Sequence, residues 1–248
     1  MLILPIYDDT PRSRTAFVTY GLIALCTVVF LWQLDQGERA QRAIAYAYGM
    51  VPAVLFGKAA LPHHLQLLPP WLTLITSMFL HGGWLHLIGN MLYLWLFGRG
   101  VESAMGTVRY LLFYLICGIA AALTQALIDP ASEIPMVGAS GAIAGTLGAY
   151  LVLHPRGNVV VFVWIFIFVR LVTVPAVILL GLWFLMQLLS GLSATAGEGG
   201  VAFWAHVGGF VLGIVLLPVF RRSDVGMLQP RRSRPFAAAP PRRRGPWG

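Results

Sequence analysis

Charge is what this sequence has least of. Only 10% of its 248 residues are Asp, Glu, Lys or Arg, against about 25% in ordinary soluble domains, while 58% are hydrophobic. That balance excludes a soluble globular domain. Acidic residues are the scarcer kind, 9 against 17 Lys and Arg. A basic excess often marks a nucleic-acid binder, but eight of the basic residues fall at or beyond position 221, and the apolar remainder has no basic face that could follow a phosphate backbone. No nucleic-acid partner is expected. Cysteine is equally rare. Cys26 and Cys117 both lie inside long apolar runs, so a disulfide framework is excluded and both read as small buried hydrophobes. Internal repeats are absent as well, which removes the main sequence sign of an inverted-repeat transporter.

What remains is apolar sequence in lengths that suit a bilayer. About 20 apolar residues cross the hydrocarbon layer as a helix, and spans are expected at 16–34, 84–100, 110–127, 140–153, 171–190 and 202–220. Residues 1–15 form an N-terminal segment, 16–220 the membrane domain, and 221–248 an Arg- and Pro-rich tail without apolar period, expected to be disordered. The stretch 159–189 is nearly continuous but broken by Arg170 and Pro175; 159–169 reads as an interfacial or partly inserted segment leading into the fifth span. Six crossings with both termini in the cytoplasm put fourteen arginines inside and only Arg39, Arg42 and Lys58 outside, as the positive-inside rule requires. The fold class is therefore an all-α, multi-pass protein of the cell (plasma or inner) membrane, its partner the lipid bilayer; oligomeric state is left open.

Polar groups inside spans are costly and default to functional candidates. Here they are His86 and Asn90 at the start of the second span, Ser140 at the start of the fourth and His206 near the start of the sixth, three helix ends at one extracytoplasmic level. From Ser140 to the break at His154-Pro155 is only about 21 Å of helix, about 10 Å short of the hydrocarbon thickness. Ser140 is thus expected at the bottom of an aqueous pocket, reached through irregular backbone at 134–138. Gly141 and Gly145 on the fourth span, and Gly209 and Gly213 on the sixth, make small-residue faces that let two backbones approach. A serine hydroxyl needs a base, and neutral imidazole suits that task at pH 7; His206 would take the proton of Ser140. No Asp or Glu lies at that depth, so the pair is a dyad. The Ser140 backbone N–H, His86 and Asn90 would receive an oxyanion. His63, His64 and His154 read as solvated or interfacial, and His81 as a loop-holding residue.

These residues also carry a resemblance. His81-Gly82-Gly83-Trp84-Leu85-His86 with Asn90, Gly138-Ala139-Ser140-Gly141, and Ala205-His206-Val207-Gly208-Gly209 with Gly213 resemble the rhomboid intramembrane serine proteases, as do Gly98, Val101-Glu102 and Gly106 between them. The resemblance covers about 15–220. It implies a six-transmembrane-helix rhomboid fold, Ser140 as nucleophile and His206 as base. His86, Asn90 and Ser140 form the oxyanion hole, with His81, Gly138, Gly141, Gly209, Gly213 and Glu102 structural around the site. It further implies hydrolysis of single-span membrane protein substrates near the outer leaflet, without cofactor or metal. Two departures are visible: the outer loop lacks a Trp-Arg pair, and Ala144 stands where many members carry an aromatic that could stack on the histidine. A catalytically silent, client-binding relative would be expected to have lost the dyad, yet both members are present. A zinc protease lacks an HExxH motif, and a transport pathway lacks polar residues in the cytoplasmic halves.

Overall fold

The computed structural model describes residues 2–10, 15–194 and 202–229. Its helices follow from apolar sequence that, in lipid, must satisfy its backbone within each segment. α1 spans Phe17–Asp35, α2 Gly37–Tyr48, and α3 Trp84–Met105, with a π turn at Leu94–Gly98. α4 spans Thr107–Ile128, α5 Ser140–Leu153, α6 Ala176–Ser193 and α7 Phe203–Phe220. α1, α4, α6 and α7 are each long and apolar enough to cross a membrane. Residues Pro70–Phe79 and α3 meet at a bend of 82° and count together as a fifth candidate. α5 is apolar but has only 14 residues. The protein is thus a multi-pass membrane protein, with four or five long apolar helices and one short central one among the described residues.

One face of each outer helix turns inward. On α1 the buried residues Thr19, Leu22, Cys26, Phe30 and Gln33 recur at helical spacing, while Leu25, Val28, Leu31 and Trp32 are exposed on the lipid side. α5 is different: every residue from Gly141 to Tyr150 is buried. It is enclosed by α4 and α7 because its glycines remove the side chains that would hold the helices apart. A Cβ on Gly209 would strike the carbonyl of Gly141, and one on Gly213 the carbonyl of Gly145. The two backbones therefore touch directly.

The end of the bundle holding the start of α1 and the end of α7 carries a three-stranded antiparallel sheet, in the order β1 (Leu2–Asp8), β2 (Asn158–Ile165), β3 (Phe168–Pro175). This corrects three expectations. The N-terminal segment is not separate from the domain, since β1 pairs with β2, and its Asp9 carboxylate accepts the Asn158 N–H at 2.7 Å. The apolar stretch after α5, expected as an interfacial or partly inserted segment, takes the form of a β-hairpin, and the helix expected from 171 starts at Ala176. The reason is a dense run of β-branched and aromatic residues ended by Pro175, which hydropathy alone cannot tell from helix. The tail, too, is ordered through Gln229: Leu228 and Gln229 N–H groups bond the carbonyls of Val152 and Leu153 at 2.9 Å, which α5 leaves unpaired at its C-terminus. Residues 230–248 lie outside the described residues. The membrane-spanning part is all-α; the sheet is added to it.

Two carboxylates organise this sheet end. Glu102, buried on α3, accepts the backbone N–H groups of Val18 at 2.9 Å and Thr19 at 2.8 Å, and the Thr19 hydroxyl at 2.7 Å. It thereby caps α1 and meets the positive end of its dipole. Asp8, also buried, takes hydrogen bonds from Thr10 and from the Tyr150 hydroxyl at the end of α5. His154, expected to be solvated or interfacial, is instead buried just past the end of α5, its ring 5.2 Å from that of Tyr150. Burial pushes its pKa down to about 4.

Two outcomes follow. Gly213→Ala should destabilise the protein by about 1–3 kcal/mol, seen as a lower Tm in detergent, whereas Gly21→Ala, with open space around it, should be neutral or slightly stabilising. Because folded His154 resists protonation, the unfolded chain binds more protons between pH 6.5 and about 4. Stability should therefore fall as pH is lowered through that window, and His154→Phe should flatten the fall in Tm measured against pH.

Candidate functional site

At the opposite end of the bundle, a cavity of about 630 Å³ opens between α3, α5, α6 and α7. Ser140 lies in its wall as the first residue of α5. The chain reaches it through an irregular segment whose backbone is held from outside: Met136 exchanges both backbone hydrogen bonds with Met50, at 2.8 and 3.0 Å, and the Gly138 N–H bonds the Ser77 carbonyl at 2.9 Å. Gly138 has φ 126°. A Cβ there would also lie 2.7 Å from the imidazole of His86, so the position needs glycine for conformation and for space.

The Gly-to-backbone contact of α5 with α7 sets the central distance. His206, on the first turn of α7, has Nε2 2.7 Å from Ser140 Oγ. Its other nitrogen, Nδ1, lies 2.7 Å from Gln187 Oε1 on α6. An amide oxygen only accepts, so Nδ1 carries the proton and Nε2 is left as the acceptor for the serine hydroxyl. Trp183, one turn before Gln187, places its ring centroid 5.8 Å from that of His206 and 6.0 Å from that of Phe210. The imidazole is thus held in its tautomer by one residue of α6 and flanked by the tilted ring of another. Trp183 supplies the aromatic neighbour that Ala144 does not.

Across the cavity, His86 and Asn90 stand one turn apart on α3, both lining it. Gly82 N–H donates to His86 Nδ1 at 3.3 Å, which puts the remaining ring proton on Nε2, the atom facing Gly138. Asn90 Nδ2 is buried and has no hydrogen-bond partner. Ser140, whose N–H begins a helix and so has no intrahelical acceptor, lines the same cavity as these two side chains. A buried donor without a partner costs about 1–3 kcal/mol; here it belongs to a residue of the cavity wall.

The structure therefore gathers Ser140, His206, His86, Asn90, Gly138 and Gly141 about one cavity. His81 stands just behind it: its ring packs edge-on to His86 at 5.3 Å, and its N–H bonds Gln33 Oε1 at 3.1 Å. Gly209 and Gly213 act from the α5–α7 contact. Glu102 is not brought to the site; it serves the far end of the bundle. Gln187 and Trp183 are the functional neighbours that sequence reasoning missed. The signal was a single amide in an otherwise apolar stretch of helix, but only the packing of α6 shows what it meets. Among the described residues no group of three or more His, Cys, Asp or Glu side chains could hold a metal ion.

Comparison with known proteins bears on this geometry. A profile described as the Rhomboid domain matches residues 69–223, a range that contains every residue of the cavity just named. Rhomboid protease GluP of Bacillus subtilis is 44% identical over 133 residues, covering 54% of this chain and 24% of that protein. RHOMBOID-like protein 5 of Arabidopsis thaliana is 44% identical over 78 residues, 32% of this chain and 25% of the relative. Rhomboid-like protein 11, chloroplastic, from the same plant is 28% identical over 159 residues, 60% of this chain and 52% of the relative. The matches span a quarter to about half the length of these relatives. Since the profile takes in the cavity, the irregular approach to Ser140 and the α5–α7 contact together, the chain belongs to the rhomboid family.

Proposed function

We propose that this protein is a rhomboid-type intramembrane serine endopeptidase that hydrolyses peptide bonds of membrane proteins with a Ser140–His206 dyad. The observation that carries the reading is the relay Ser140 Oγ, His206 Nε2, His206 Nδ1, Gln187 Oε1, with 2.7 Å at both ends. His206 takes the Ser140 proton as Oγ attacks the scissile carbonyl. The Ser140 N–H, His86 Nε2–H and Asn90 Nδ2–H receive the negative oxygen. His206 then gives its proton to the leaving amine, and an acyl-Ser140 intermediate remains. Water attacks this ester, losing its proton to His206, and His206 returns that proton to Ser140 Oγ as the ester bond breaks and the carboxyl product leaves. No cofactor is needed for any step.

The six-span topology belongs to the same proposal, with α5 as the short crossing and both termini cytoplasmic; the distribution of arginines supports it. The cavity then opens to the extracytoplasmic side of the cell membrane. Single-span proteins are the substrates this arrangement suits, because a backbone can be cut only where its carbonyls leave helical hydrogen bonds, and a recessed serine reaches such a segment below the membrane surface.

A fluorophosphonate probe should label the purified protein at Ser140, and Ser140→Ala should abolish both labelling and cleavage of a model transmembrane substrate; retention of either in that variant would refute the reading. Asn90→Ala should lower kcat about 100- to 1,000-fold with KM little changed. Gln187→Met, which keeps volume but loses the acceptor, should lower kcat and the rate of probe labelling together by about 10- to 100-fold, and Gln187→Glu should restore most of both. If Gln187→Met slowed cleavage but left labelling untouched, Gln187 would serve substrate entry and not the base.

A further inference from the structure

The β2–β3 hairpin ends in an unusual turn. Trp164 to Val169 are six consecutive residues, all apolar and all exposed. The two at the tip are nearly free of the rest of the protein, Phe166 at 90% and Ile167 at 87% exposure. Phe166 also adopts φ 51°, the left-handed region where a two-residue hairpin connection ordinarily places glycine. A bulky residue costs about 1–2 kcal/mol there. A turn that gives up that stability to present a phenyl ring is shaped by what the ring touches.

Three features say what that is. Exposure continues on both faces of the tip, from Ile165 through Phe168, which suits immersion in an apolar medium and not docking of one face on a protein. β3 runs without a break into α6, and its exposed Leu171 and Val172 continue into the exposed Val177, Ile178 and Leu182 of that membrane helix. The only charge on β3 is Arg170, exposed and placed just beyond the apolar tip, and the Trp164 indole N–H is satisfied within the hairpin by the Phe166 carbonyl at 2.5 Å. Tryptophan and a snorkelling arginine beside an apolar tip are what a membrane interface selects.

We propose that the hairpin tip inserts into the lipid interface at the sheet end of the bundle, as a second membrane anchor beside the spanning helices. Its depth is bounded. The outer edge of β3 carries unpaired backbone groups that hydrocarbon would not tolerate, so the strands lie at headgroup level while Phe166, Ile167 and Phe168 reach the acyl chains. The anchor is covalently continuous with α6, the helix that carries Trp183 and Gln187 to His206.

The test is depth measurement by spin labelling on the full chain, with Cys26 and Cys117 replaced by alanine, in phosphatidylcholine–phosphatidylglycerol vesicles. A label at Ile167→Cys should favour collision with oxygen over a water-soluble nickel chelate by several-fold, as a reference label at Ile178→Cys on α6 does. A label at Ser223→Cys, exposed at the same end, should show the reverse preference. Adding Phe166→Gly and Phe168→Ser, which suits the turn and removes the apolar side chains, should shift the 167 label towards nickel while gel filtration still shows a single folded species. Nickel accessibility at 167 equal to that at 223 would overturn the proposal. So would spin–spin broadening at 167 that disappears on dilution with unlabelled protein, because the tip would then be meeting a second copy of the chain.

Discussion

The contact between the backbones of α5 and α7 is the constraint on which the rest depends. Dispersion forces and hydrogen bonds, not the hydrophobic effect, hold helices together in lipid, and both need close approach. Gly141 and Gly145 meet Gly209 and Gly213 with no side chain between them. That separation brings a short serine side chain on one helix to 2.7 Å from a histidine on the other. A methyl group at Gly209 or Gly213 would strike the α5 backbone and force the pair apart, whereas one at Gly141 or Gly145 would strike Ala121 or Cys117 on α4. Packing and chemistry are thus set by the same atoms.

Irregular structure in the protein is tolerated where its backbone groups are satisfied by neighbours. The approach to Ser140 is bonded to Met50 and Ser77, the start of α1 to Glu102, and the end of α5 to residues 228 and 229. Among the described residues a few buried polar atoms stay without a partner, and one of them, Asn90 Nδ2, belongs to a residue that lines the cavity. α6 is the exception to tight packing: of its residues only Ala176, Leu180 and Gly191 are buried. The helix that fixes the tautomer of His206 is the least buried of the four long apolar ones.

Much of this was legible in the sequence, for physical reasons that differ by element. α4, α5 and α7 fall close to where hydropathy puts them because each is a long or sharply bounded apolar run. Ser140, His206, His86 and Asn90 stand out because polar groups are expensive in lipid and few are present. The hairpin was misread because valine-rich apolar sequence supports strand as well as helix, and the choice was made by pairing with β1, about 150 residues away in the chain. Gln187 escaped notice since an amide on a lipid-exposed helix has no periodic signature; its meaning lies in a neighbour on α7. Glu102 was grouped with the structural residues of the site by the resemblance alone, and the length of α3 carries it to the other end of the bundle, at the start of α1.

By itself, the sequence determined that the chain lives in a membrane, which helices carry polar groups, and where glycine permits close approach, because each of these is a property of residue type at a fixed local spacing. The tertiary structure decided which polar groups meet. The hydrogen bonds from His206 to Ser140 and to Gln187, the cap of Glu102 on α1 and the pairing of β1 with β2 all join residues far apart in sequence. No local period encodes such a distance, and only the packing of complete helices fixes it.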